Sequence, residues 1–227
     1  MPDRVVACPR LRDVCAICNN VRLARLDRYG AKLYEQYFAT FVSSPVDVTF
    51  EYDYPSILGW LLKCSYNATR SEGTDGNEYR LFLPFLRGEQ PPPKLSVSLL
   101  LGIVSSVPSE SPLERQLGPI LTPGVCGYGI LNVPKGDESL YLIRRMVMMQ
   151  SYVFFVVVWQ PHVVRAGRRR ALRNLTAANK VTQLEAMLLL QPGRDRVHLV
   201  VPCLDARTWF HVRAMQEGAR QAHGQKS

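Results

Sequence analysis

Apolar residues recur at three- and four-residue steps between Asn20 and Phe41. Leu23, Leu26, Tyr29 or Gly30, Leu33, Tyr34, Tyr37, Phe38 and Phe41 form one stripe, while Arg22, Arg25, Asp27, Arg28, Lys32 and Glu35 take the other side. That period predicts an amphipathic helix. It ends at Ser43-Ser44-Pro45, because proline cannot continue a helix. From Val46 the period switches to two: Val46, Val48, Phe50 and Tyr52 alternate with Asp47, Thr49 and Glu51. This predicts a half-exposed strand. Asp53 is then suited to cap a helix with Pro55 in its first turn. Ser56 to Cys64 is apolar on all sides, which predicts a short buried helix.

The middle of the chain is less regular. Asn67 to Asn77 is polar and holds Gly73 and Gly76, so it reads as a surface loop. Glu78 to Leu86 reads as a strand, with Pro84 placing it near an edge or bulge. Gly88 to Pro93 is a stiff proline connector, and Leu95 to Val107 fits a strand or a helix equally well. A Pro/Ser/Gly-rich connector, 108–124, separates an N-terminal part, 1–107, from a C-terminal part, 125–217, within one compact domain. One turn of helix is expected inside it, around Pro112 to Leu117.

Beyond the connector, Gly129 to Val133 and Ser139 to Val147 read as strands around a Pro134-Lys135-Gly136-Asp137 turn. Tyr152 to Trp159 is continuously apolar, the mark of a strand buried on both faces. Arg168 to Leu190 reads as helix, in one or two pieces. A Thr182-to-Glu185 capping box stands before the apolar Ala186 to Leu190. Pro192-Gly193 turns the chain into a strand over Arg196 to Val201. Asp205 is suited to cap a last helix through Trp209, Val212 and Met215. Helices and strands interleave irregularly and hairpin neighbours are frequent. The expected class is α+β, with a mixed, mainly antiparallel sheet packed with several helices.

Hydrophobic residues make up 47% of the 227 positions, enough for a substantial core. No run approaches the roughly 18–20 apolar residues of a transmembrane segment, and Met1 to Arg12 lacks the apolar centre of a secretory leader. An intracellular protein, in nucleus or cytoplasm, is the expectation. In that setting Cys8, Cys15, Cys18, Cys64, Cys126 and Cys203 are thiols or metal ligands rather than disulfides. Cys15-Ala16-Ile17-Cys18, with Cys8 upstream, has the spacing of a knuckle that holds a structural zinc. The fourth ligand would come from Cys64, Cys126, Cys203, His162, His198 or His211. Ordinary core cysteines explain the same spacing. Metal content after chelator-free purification separates the two readings.

Charge adds a second candidate. Lys and Arg outnumber Asp and Glu by 28 to 19, a net charge of +9. Such an excess suits anionic partners. The excess gathers in Arg165, Arg168, Arg169, Arg170 and Arg173, with Lys180 downstream. On a helix Arg165, Arg169 and Arg173 share a stripe, and guanidinium forks match phosphates and carboxylates. No aromatic side chains interleave with them, so a base-stacking platform is not indicated. Nucleophile-elbow, phosphate-loop, dinucleotide and zinc-protease motifs are absent. Asp47 and Glu51 share a strand face that could hold a cation, and exposed strands carry such pairs routinely.

The expected function is that of a non-enzymatic protein–protein interaction or adaptor protein. It would dock a protein partner through the arginines and the aromatic arc of Tyr29, Tyr34, Tyr37 and Phe38. A nucleic-acid-binding regulator is the alternative, and an enzyme of unrecognised class is a third.

Three places also resemble the nuclear egress lamina proteins of herpesviruses. They are the Cys15–Cys18 pair with Cys8 upstream, the succession Pro55 to Lys63 followed by Tyr79-Arg80-Leu81-Phe82-Leu83, and Cys126-Gly127-Tyr128 ahead of Leu140 to Arg145. The resemblance implies a viral protein of the host nucleus that binds a membrane-anchored viral partner and carries zinc on Cys8, Cys15 and Cys18. No histidine stands near Leu95 to Leu100, where that family's last zinc ligand falls.

Overall fold

The computed structural model describes residues 18–40, 42, 46–92, 97–103, 126–131, 133–178 and 188–201. The first helical segment comprises a π-helical turn at Cys18–Arg22, helix α1 at Ala24–Leu33 and a second π-helical turn at Tyr34–Phe38. Strand β1 (Val46–Glu51) leads into helix α2 (Tyr54–Ser71). As expected, the Asp53 carboxylate accepts the Ser56 amide at 3.0 Å, with Pro55 in the first turn. A 3-10 segment (Asn77–Phe82) and the short helix α3 (Leu83–Leu86) follow, then strands β2 (Val97–Ile103), β3 (Cys126–Ile130), β4 (Tyr141–Met149) and β5 (Tyr152–Trp159). Helix α4 (Arg165–Ala178) and strands β6 (Leu188–Leu190) and β7 (Arg196–Val201) complete the described elements.

The strands form a five-stranded antiparallel sheet in the order β3-β4-β5-β2-β6, and β1 and β7 form an antiparallel pair. The class is α+β, as the pattern predicted. Strand β5 shows why its sequence is uninterruptedly apolar. Tyr152, Phe154, Val156 and Val158 enter the core beneath α1, α2 and the β1–β7 pair. Val153, Phe155, Val157 and Trp159 enter a second core shared with α4. A strand covered on both faces has no polar alternation to show.

Three sequence expectations are corrected. The supposed loop from Asn67 is helical to Ser71, because Ala68 and Thr69 are buried and continue the helical stripe of Leu61 and Ser65. The helix stops where Gly73 and Gly76 take positive φ angles of 84° and 64°. Glu78 to Leu86 is helical rather than extended. Its buried residues are Tyr79, Phe82, Phe85 and Leu86, a three-residue rhythm that no strand presents. Leu188–Leu190 is a strand, not the end of a helix. It pairs with β2 through Leu99↔Leu190, Leu100↔Leu189 and Leu101↔Leu188. A short leucine run satisfies either period, and the available edge of β2 decides it. That edge also resolves the ambiguous Leu95–Val107 run, whose described part, Val97–Ile103, is β2. The connector 108–124, the capping box at Thr182 and the expected last helix lie outside the described residues.

Helix α1 is tied to its neighbours by polar contacts as well as burial. The Lys63 ammonium, buried on α2, donates to the Asp27 carboxylate. Arg25 donates to the Phe85 and Leu86 carbonyls at 2.8 and 3.2 Å, placing a cation at the carbonyl end of α3. The Tyr29 and Tyr37 hydroxyls accept the backbone N–H groups of Asp53 (3.0 Å) and Glu51 (2.9 Å), satisfying donors along and just beyond the outer edge of β1.

Burial has a consequence at high pH. It pushes the phenols of Tyr29, Tyr54, Tyr141 and Tyr152 up from 10.0 to about 12. These groups hold their protons more tightly in the folded chain. Their contribution to stability is therefore complete below about pH 10 and is lost as pH rises from about 10 to about 12. Tyrosinate absorbance and the far-ultraviolet signal are expected to change together within that window. Ionisation of these phenols near pH 10 with the fold intact would refute this reading.

Candidate functional site: the arginine face of α4

Helix α4 lies against the face of the sheet opposite α1 and α2. Its anchors are Ala171 and Leu175, one turn apart and both buried with Val163 against Phe155, Val157 and Trp159. A register irregularity between Tyr141 and Ile143 supplies a further anchor. Without it, Tyr141 would share the inward parity of Ile143. With it, Tyr141 joins the α4 core, lies 5.1 Å from the Trp159 ring and donates to the Ala171 carbonyl at 3.2 Å. At the helix periphery, Asn174 Nδ2 reaches the Asp137 carboxylate at 3.4 Å.

This docking fixes which arginines face outward. Arg165, Arg169 and Arg173 occupy the exposed stripe expected from their spacing, and Arg170 is exposed beside it. Arg168 departs from the group. It is half-buried on the flank, and its Nε donates to the Val163 carbonyl at 2.8 Å. It thereby fastens the chain just ahead of the helix.

The helix sequence, RAGRRRALRNLTAA, contains five arginines and no carboxylate. Arg165, Arg168, Arg169 and Arg170 crowd its first two turns, where the helix dipole is already positive. The pairs Arg165/Arg169 and Arg169/Arg173 place like charges one turn apart, which costs roughly 0.2–0.5 kcal/mol each in an isolated helix. The helix forms because burial of Ala171 and Leu175 outweighs this repulsion. Arg165, Arg169 and Arg170 hold no ion pair among the described residues, and an incoming anion would relieve their mutual repulsion.

Arg168 also lines a groove of about 470 Å³ that the sequence reading missed. Its walls include Tyr54, Pro55 and Leu58 of α2, Val97 of β2 and Leu189 of β6. Four stretches far apart in sequence meet there. No local pattern marks it in the sequence, and Leu189, an apolar side chain left 43% exposed, shows it only in the folded chain.

The aromatic arc of the first helical segment is largely committed to packing. Phe38 is buried and lies 6.0 Å from Trp60 and 5.1 Å from Tyr152. Tyr29 and Tyr37 are half-buried and hold backbone donors, while Tyr34 remains 48% exposed.

Cys8, Cys15 and Cys203 lie outside the described residues. Cys18 and Cys126 are described only in their backbone, which begins the first helical segment and β3. Asp47 and Glu51 share the exposed face of β1, as expected. His198 stands opposite Thr49 on β7, 3.2 Å from its hydroxyl and 3.6 Å from the Asp47 carboxylate. Among the described residues, no three His, Cys, Asp or Glu side chains gather closely enough to hold a metal ion.

Among the described residues, no helix is long and apolar enough to cross a membrane. Compared with known proteins, the chain matches no family model, and no curated protein or solved structure matches it significantly.

Proposed function

We propose that this is a non-enzymatic protein–protein interaction protein that docks an acidic surface of a protein partner on the outward arginines of α4. One observation supports the reading above others. A helix with no carboxylate presents Arg165, Arg169, Arg170 and Arg173 to solvent from a rigid, doubly covered sheet. Guanidinium forks recognise carboxylates by paired hydrogen bonds, and a firmly seated helix presents them with little loss of order on binding. The egress-protein resemblance supplies a setting for the same proposal, a viral partner in the host nucleus.

The test uses a variant that spares Arg168, since that side chain holds backbone. Arg165→Ala/Arg169→Ala/Arg170→Ala is expected to weaken binding of a labelled polyglutamate probe at least tenfold at low salt. The thermal midpoint should stay within about 2 °C of wild type, as for exposed substitutions that remove no packing. Duplex and single-stranded DNA are run beside the polyglutamate. Tighter DNA binding with a steep salt dependence would replace the proposal by a nucleic-acid regulator. Absence of binding to any polyanion would end both readings.

A further inference from the structure

We infer that the groove beside Arg168 receives an extended partner segment in which an aliphatic side chain is followed by carboxylates. This rests on the arginine-face reading and adds the chemistry of the segment that meets it.

The groove is apolar on the sides formed by α2, β2 and β6, and Arg168 is the charged residue among its described lining. Arg168 belongs to α4, so the groove opens onto the flank of the helix whose outer face carries the other arginines. A ligand leaving the apolar part meets the Arg168 guanidinium, and a carboxylate complements it.

The shape of the floor favours an extended chain. β6 ends the described five-stranded order and consists of Leu188, Leu189 and Leu190. It carries neither the charge nor the proline with which edge strands are commonly protected. Leu189 is left 43% exposed at this edge. An aliphatic side chain laid against Leu189, Tyr54 and Val97, which keep part of their surface in water, would remove apolar surface from water on both partners. The volume falls within the several-hundred-Å³ range of sites that accept side chains and small ligands. An edge strand beside an apolar slot is a recurring arrangement for capturing extended peptides.

The probe is a fluorescein-labelled synthetic decapeptide with alternating leucine and threonine followed by four glutamates. Two controls replace its leucines with serine or its glutamates with lysine. By fluorescence polarisation with the full chain, each control is expected to bind at least tenfold more weakly. Leu189→Asp in the protein should weaken the leucine–glutamate peptide to a similar degree. Its side chain is already half in water, so the fold should tolerate the change.

If binding follows the glutamates alone and ignores both the leucines and Leu189→Asp, the groove inference fails and the arginine face stands. If no acidic peptide binds at low salt, both fail. Leu189→Cys supplies a measurement independent of affinity. Its thiol should react with a maleimide at the rate of an exposed cysteine and become protected by the peptide, as read by peptide mass mapping. Protection in the protein alone would mean that the chain fills its own groove, and would overturn the inference.

Discussion

Gly30→Ala is expected to destabilise the protein by about 2–3 kcal/mol, although alanine is the better helix former. In an open helix the exchange would gain about 1 kcal/mol. Here Gly30 faces Trp60, and a Cβ at position 30 would lie 2.2 Å from the indole Nε1 and 2.8 Å from two ring carbons. Trp60 is buried, stacked on Phe38 and edge-on to Phe154 at 6.2 Å, so moving the ring would disturb both contacts. Overpacking of a dense core typically costs about 1–3 kcal/mol and sometimes more. An overlap this deep belongs at the upper end and outweighs the propensity gain.

Urea denaturation gives the difference, and a thermal midpoint lower by roughly 4–10 °C should accompany it. Trp60→Phe alone should cost about 1–2 kcal/mol for lost packing. Combined with Gly30→Ala it should restore part of the loss, giving a coupling energy that independent sites would not show. A Gly30→Ala protein at least as stable as wild type would contradict this account of how α1 meets α2.

Glu72→Ala should cost about 2–3 kcal/mol, far more than a half-exposed carboxylate ordinarily contributes. The reason lies in its partner. Arg145 stands on β4 between Ile143 and Val147, at an inward position of the alternating strand, and is 7% exposed. Its Nη1 lies 2.9 Å from each Glu72 oxygen, and its Nη2 donates to Thr69 Oγ1 at 2.5 Å. Thr69 is itself buried and lies 3.5 Å from the Tyr79 hydroxyl. Removing Glu72 leaves a buried guanidinium without its counter-ion, a situation that costs about 3–5 kcal/mol when both partners are fully buried. Glu72 keeps 37% of its side-chain surface in water, which screens the pair and reduces the figure.

Arg145→Met/Glu72→Ala should recover most of the loss, because it removes the stranded charge along with its partner. Amide exchange over Ala68–Ser71 should quicken in Glu72→Ala, since the pair holds the last turn of α2 to the sheet. A cost below about 0.5 kcal/mol would show that water reaches the guanidinium.

Local chemistry was read correctly in several places where one segment decides its own structure. The Asp53 cap needs only Ser56 three residues on, and the β1 alternation needs only one covered face. The spacing of Arg165, Arg169 and Arg173 needs only that the segment be helical. Reading failed where polarity stood in for period. Asn67 to Ser71 looked like loop because its exposed residues are polar, while Ala68 and Thr69 carry the helix onward.

The arginine site was visible in part for the same reason. Its spacing showed the stripe, but Arg168's turn inward to the Val163 carbonyl depends on how α4 seats against the sheet. Arg145 carried one local sign, a charge at an inward strand position. Its partner Glu72 is 73 residues away, and no period connects them.

The sequence by itself determined the α+β class, the β3–β4 neighbourhood around the Pro134–Asp137 turn, the burial of β5 and the cationic stripe. Each follows from side-chain periodicity within a single element. Tertiary structure alone decided the order of the strands, the strand fate of Leu188–Leu190, the Gly30–Trp60 contact and the groove beside Arg168. Those depend on which distant surfaces meet, and at a meeting of surfaces the free energy is set by shape and by the loss of water from both sides.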